Sequence, residues 1–362
     1  MTKQASSLNG GKILLHAILV AVTFLPFLLA INLVDLDNPA IAFDWRESFH
    51  GAIWLDNFGW DTRPFRTPPW SVYFLLPFTA LPFALGWATM LYITTIAMVA
   101  VVPRKPSRNL WLIGTILLLT AHPVIRNIAD VNLEGFVIGG LLLSLYGFHE
   151  EKPLWLALGI LIAGVKPQGV FLMYIVMGLY MLRTWNWRNI GKVIAICGGV
   201  FVLTMLIWGQ AWLESLDTLP GGISLATGLS EFNLPSFAIL TTQIGIALVS
   251  LVIGYLGEAK LTYLKVGLLI SASVLVAPYA NAVSVVPALA FGAIGLFMRR
   301  WWLGVFIFVI YNLPYLQAFG VERFTAIDTQ YFLVIQLILW VSLLIEVIID
   351  NRSTSDSIIK ED

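Results

Sequence analysis

Residues 13–31 read ILLHAILVAVTFLPFLLAI, and residues 35–70 read DLDNPAIAFDWRESFHGAIWLDNFGWDTRPFRTPPW; the step between them decides the fold. The first run is apolar and close to the ~20 residues that a helix needs to cross a bilayer. Lys3 and Lys12 precede it and no small-residue cleavage pattern follows, so it reads as a retained first helix rather than a removed leader. The second run gathers Asp35, Asp37, Asp44, Glu47, Asp56 and Asp61 among prolines and aromatics, including Trp45, Trp54, Trp60 and Trp70. Almost everything after it is apolar again. A chain built this way places its chemistry in the loop and its bulk in the membrane.

Composition agrees. Hydrophobic residues make up 59% of the 362 and charged residues 12%, with a mean hydropathy of +0.85. Soluble domains carry about 25% charged residues. The expected fold is therefore all-α, a polytopic membrane protein of 10–12 transmembrane helices, several of them short or broken. Candidate spans are 13–34, 71–102, 110–123, 133–148, 154–165, 169–182, 193–210, 236–256, 266–277, 282–298, 302–316 and 330–349. The second is too long for one crossing and holds Pro77 and Pro82, so it begins as an interfacial helix. Short spans pair around three polar hinges: HPVIRNIADVN at 122–132, KPQG at 166–169 and APYAN at 277–281. Such pairs meet as broken helices or stop where a water-filled cavity reaches them. Residues 1–350 form one integral membrane domain, with 35–70 as its functional loop and 351–362 as a disordered polar tail.

On these spans 15 of the 21 basic residues fall on one side. The positive-inside rule puts that side, and both termini, in the cytoplasm, with the acidic loop and all three hinges outside. The zero net charge speaks against a nucleic-acid partner. Cys197 is the only cysteine, which leaves no disulfide or thiolate metal site. No phosphate-cradling glycine loop or nucleotide domain is present, so an enzyme of this design would take an activated substrate that reaches it from the membrane.

The stretches FDWRESFHGAIWL (43–55) and GWDTRPFRTPPWSVYFLLPFTALP (59–82) resemble the first outer loop of the family-87 polyprenol-phosphate-dependent glycosyltransferases. These belong to the membrane C-type glycosyltransferase superfamily and include mannosyltransferases. ADVNLEGFVIGGLLL (129–143), AGVKPQGVFLMYI (163–175) and FNLPSFAIL (232–240) are similar to later elements of the same family, in the same order. The hinge at 277–279 lacks the histidines that the family pattern places there. The resemblance implies an inverting transfer of a sugar, mannose first, from a polyprenyl-phosphate donor to a lipid or glycan acceptor outside the cytoplasm. Membrane lipids surround it, and no obligatory protein partner is implied.

Inverting transfer needs one carboxylate to take the acceptor's proton and fixed donors to receive the departing phosphate. Asp44, within Phe43, Trp45 and Phe49, is the candidate base; its plain alternative is a solvated loop acid. Candidate substrate contacts are Asp61, His50, His122, Arg126, Asn132, Lys166, Gln168 and Arg323. Lys166 stands out because an unpaired ammonium between apolar segments is expensive. Arg126 has a simpler alternative, an i,i+4 pair with Asp130. Asp35 and Asp37 form an acid pair able to hold a divalent cation, but a cap-and-turn role explains them as well, and no cofactor or metal is expected. A multi-helix transporter or flippase fits the broken helices equally, and a non-catalytic subunit is the third reading.

Overall fold

The computed structural model describes residues 10–36, 38, 41–55, 67–216, 229, 235–319 and 329–359. It is all-helical, with no strand among the described residues. Helix α1 spans Gly10–Ala30, and a π-helical segment, Asp44–His50, follows in the first loop. Then come α2 (Ser71–Thr79), α3 (Phe83–Val101), α4 (Arg108–Leu119), α5 (His122–Asp130), α6 (Glu134–His149), α7 (Pro153–Ala163), α8 (Phe171–Thr184) and α9 (Trp187–Leu216). The remainder is α10 (Ser236–Tyr255), α11 (Tyr263–Val276), α12 (Val286–Arg299, with a π turn at Leu289–Ala293), α13 (Trp301–Asn312) and α14 (Thr329–Ile359).

Four helices, α3, α9, α10 and α14, are long and apolar enough to cross a membrane, and a fifth span results if α4 and α5 are one. The α4–α5 pair bends by 62°. Pro123 explains the break, because it has no N–H to continue a helix across Thr120–Ala121. The hinge read as 122–132 is thus a short helix in its own right, not an open turn. The overlong 71–102 stretch divides into α2 and α3 at Pro82, as its two prolines imply. The last helix continues past Asp350 to Ile359, since residues 351–359 hold no glycine or proline to end it.

Helix α11 is the centre of the bundle. Every residue from Leu264 to Leu275 is buried, against α8, α10, α12 and α14. A helix that is mostly apolar all round packs inside, and its one charge, Lys265, is met by the Tyr180 hydroxyl and the Leu256 and Glu258 carbonyls. Its start is fixed by Thr262, whose hydroxyl accepts from the Lys265 amide at 3.3 Å. The other organising unit is the antiparallel α6–α7 hairpin. A Cβ on Gly140 would lie 2.4 Å from the Ala163 nitrogen, and one on Gly159 would lie 2.4 Å from the Ser144 nitrogen. Only glycine lets the two backbones approach this closely, the usual device for packing helices that have no hydrophobic drive between them in lipid. The hairpin puts the first residue of α6, Glu134, at the same end as the α7–α8 hinge that carries Lys166.

Candidate active site

Three breaks in the helical pattern converge on one cavity. The first is the π-helical segment. Its wider turn sets Asp44, Ser48 and Phe49 on one side, and all three line the cavity. Trp45 points the other way and is fully buried, its indole N–H donating to the Phe83 carbonyl at 3.2 Å. Gly86 makes that docking possible, because a Cβ there would meet the Trp45 ring at 2.7 Å. Trp45 is therefore an anchor for the segment rather than a surface for a sugar. Trp54 is exposed and donates to the Thr79 carbonyl, and Trp70 donates to the Leu161 carbonyl.

The second break lies between α5 and α6. Val131 caps α5 in the left-handed region, at φ 54°, and Ala42 takes the same conformation at φ 56°. The Ala42 amide donates to the Ala129 carbonyl at 2.9 Å, which pins the loop segment to the end of α5. Each non-glycine residue in this region costs on the order of 1–2 kcal/mol. Both stand within two residues of a site side chain, Asp44 and Asn132. Strain of this kind collects where surrounding structure holds a functional group in place.

The third break is the α7–α8 hinge, where Pro167–Gly169 forms one 3-10 turn between the helices. Lys166 precedes it. The Lys166 ammonium donates to the Asn132 side-chain oxygen and to Glu134 Oε1, the latter at 2.6 Å. The Asn132 oxygen also accepts from the Leu133 amide at 2.8 Å. With its oxygen engaged by two donors, the Asn132 carboxamide must turn its NH2 outward, and that group donates to Asp44 Oδ2. The result is one chain of contacts, Glu134 to Lys166 to Asn132 to Asp44, drawn from three separate breaks.

The cavity beside this chain holds about 300 Å3. Asp44, Asn132, Lys166 and Gln168 line it, together with Trp212 and Tyr279 from farther along the chain. Burial pushes the Asp44 carboxyl above its ordinary range; the charge of Lys166 pulls it back, Asp130 adds to the rise, and the Asn132 hydrogen bond and Arg126 oppose it. A carboxylate whose proton affinity is raised in this way is a stronger proton acceptor.

Not every sequence candidate joins it. His50 lies behind the segment, its Nε2 3.3 Å from the Leu81 carbonyl and its ring against Trp45 and Phe83. His122 opens α5, where its amide donates to Asn312 and its ring meets Tyr315. Neither lines the cavity, because the Trp45 anchor and the α4–α5 bend turn them away. Arg126 pairs with Asp130 at 3.5 Å, the simpler of its two readings. Asp37, Trp60, Asp61 and Arg323 lie outside the described residues.

The chain matches no family model, no curated protein and no solved structure.

Sequence reasoning passed over Glu134 as a site residue. An acid opening an apolar helix looks like an ordinary first-turn acid facing the helix dipole. The available signal was the lysine in the next hinge, which a tight α6–α7 hairpin must bring back to it. Tyr279 and Asn281 were legible only as part of a hinge, and Trp212 only as a residue just past the 193–210 span.

Proposed function

We propose that this chain is a membrane-embedded, inverting glycosyltransferase that takes its sugar from a polyprenyl phosphate. The observation that carries the proposal is the junction of two kinds of cavity at the α7–α8 hinge. On one side of Pro167 is the polar cavity with Asp44 and Lys166; on the other is an apolar cavity of about 430 Å3 walled by Trp70, Tyr174, Cys197 and Phe201. A third, of about 410 Å3, shares Ile160, Tyr174 and Ile175 with it and continues between α7, α8 and α9. A charged headgroup beside a long apolar groove is the shape of a phosphate on an isoprenoid chain.

In this reading Asp44 accepts the proton of the acceptor hydroxyl as that oxygen bonds to the anomeric carbon. The anomeric carbon–phosphate oxygen bond breaks, and its electron pair leaves with the polyprenyl phosphate. Lys166 and Gln168 receive the departing charge. Sugar configuration inverts because attack and departure lie on opposite faces. The resemblance to family 87 supports mannose as the first sugar to test. The basic-residue asymmetry supports an active site outside the cytoplasm, with both termini inside.

Twelve membrane segments result when the four long helices, the six shorter apolar ones, the α4–α5 pair and α6 are counted together, α7 among them reaching only part-way. Helix α7, with 11 residues, rises only about 16 Å, roughly half a hydrocarbon core, so its hinge sits at depth inside the bundle. That depth lets a lipid-borne phosphate reach Lys166 without leaving the membrane.

The test is sugar transfer by protein in lipid nanodiscs, with radiolabelled polyprenyl-phosphate mannose as donor and a membrane-lipid extract as acceptor. Wild type should form product and a folded Asp44→Asn should lose about 10²–10⁴-fold in rate, the usual worth of a positioned base. Equal product from both would move the base elsewhere. No product from any lipid-linked sugar would sink the proposal and leave the transporter reading.

A further inference from the structure

Glu134 has no part in the transfer chemistry just described, yet it is 2% exposed and ion-paired inside an apolar bundle. Burying a carboxylate there is costly even when it is paired, and charges retained inside a membrane protein mark functional sites. We propose that Glu134 is a positioning residue that holds the Lys166 ammonium at the oxygen end of the Asn132 amide and compensates part of its charge, so that only the remainder acts on Asp44 while the site is empty. The inference rests on Asp44 being the base of the proposed transfer.

The geometry gives each member one job. Glu134 sits on the first turn of α6 and is linked to Asp44 through Lys166 and Asn132. Lys166 is bonded to the oxygen end of the Asn132 amide and Asp44 to the nitrogen end, so the two opposite charges occupy the two ends of one planar group. Without Glu134, nothing on α6 would draw the ammonium away. Its full positive charge would then act on Asp44, favouring the ionised carboxylate and weakening it as a base. Other groups facing Asp44 are Asp130 and Arg126 of α5, while Tyr279 lines the cavity from the α11–α12 connection. Asp130 and Arg126 are already paired with each other, so they do not substitute for Glu134.

The pH consequence has a definite sign. A base works in its deprotonated form, so the rate rises as pH climbs through the Asp44 transition. Replacing Glu134 by glutamine keeps a hydrogen-bond acceptor for Lys166 but removes one negative charge. The Asp44 transition should therefore move to lower pH by about one unit, the smaller end of what an uncompensated opposite charge produces at this range.

A hydrophobic carbodiimide reports this without turnover, because it reacts only with protonated carboxyls. The experiment reads the pH midpoint of Asp44 labelling by mass spectrometry of the intact protein in nanodiscs, for wild type, Glu134→Gln and Glu134→Asp. Sugar transfer is followed in the same samples. A midpoint about one unit lower in Glu134→Gln, and near wild type in Glu134→Asp, is the expected result. An unmoved midpoint in folded Glu134→Gln would show that Glu134 only packs, and would overturn the inference. Should Glu134→Gln fail to fold, the double variant Glu134→Gln/Lys166→Met carries the test. With both charges gone its midpoint should lie at or above that of wild type, and one below wild type overturns the inference. A moved midpoint in a protein that transfers no sugar would uphold the electrostatic link and sink the transfer reading. Transfer by wild type with an unmoved midpoint would do the reverse.

Discussion

Among the buried polar clusters of this bundle, two are built on opposite plans. Glu134, Lys166, Asn132 and Asp44 form a charged chain that ends at an open cavity. Deeper in, on and around α11, Gln336 donates to Ser271 Oγ at 3.2 Å and accepts from the Tyr311 hydroxyl, with all three residues buried and none charged. The neutral cluster joins α11, α13 and α14 and lines none of the cavities described above. In lipid, neutral hydrogen bonds between helices are a modest glue. Charges are another matter: they are kept inside a membrane protein at real expense, and they mark where something ionic is handled. The contrast separates a packing device from a working site within one fold.

Lys166→Met is the sharpest way to break that contrast. It leaves Glu134 as a buried, unpaired carboxylate, and breaking a buried pair from one side costs about 3–5 kcal/mol. The measurement is an unfolding titration in detergent micelles. Adding Glu134→Gln should return most of the lost stability, because the second charge then needs no partner. Sugar transfer should stay low in the double variant, since the departing phosphate has lost its cation. A double variant no more stable than the single would show that the charged chain is held by something other than the pairing of Lys166 with Glu134.

How far the sequence reveals these clusters depends on the range over which their parts are joined. The three hinges around 122–132, 166–169 and 277–281 are legible as breaks, because proline and polar residues interrupt apolar runs there. Asp44, Asn132, Lys166 and Gln168 are legible as candidates for the same local reason. Their assembly is not. Asn132 reads as a substrate contact; it lines the cavity, and its amide also bridges Lys166 and Asp44, a link that no local pattern shows. Glu134 and Lys166 are 32 positions apart and meet only because glycines at 140 and 159 bring α6 against α7. His50 lies away from the cavity through packing that no spacing reveals: its ring sits against Trp45 and Phe83. The neutral cluster is invisible for a related reason, since a lone glutamine in an apolar run gives no hint of which helix it will face.

Gly140→Ala tests whether the charged chain depends on that helix contact. The added methyl would stand 2.4 Å from the Ala163 nitrogen, so α6 and α7 must separate. Overpacking of this kind costs about 1–3 kcal/mol. The separation pulls at the Glu134–Lys166 pair from both backbones, so transfer should fall further than stability does. The cluster around Gln336 is carried by other helices and should not respond; a Gly140→Ala protein with full transfer activity and reduced stability would dissociate the hairpin from the site.

Gln336→Leu gives the smallest effect and completes the comparison from the neutral side. Leucine fills much of the same volume and removes the hydrogen bonds to Ser271 and from Tyr311. Ser273, a neighbour on the same helix, turns its hydroxyl back to the Leu269 carbonyl four residues earlier, and Ser271 has an equivalent carbonyl within reach once glutamine is gone. The Tyr311 hydroxyl has no such partner on its own turn, so it carries most of the penalty. Interhelical hydrogen bonds of this type contribute about 0.6–1.7 kcal/mol in membranes, and the loss of stability should fall in that range. Transfer activity and its pH profile should be those of wild type, because no charge has moved and no cavity wall has changed. A shift in the pH profile of Gln336→Leu would couple the two clusters electrically, and the division into a packing device and a working site would no longer hold.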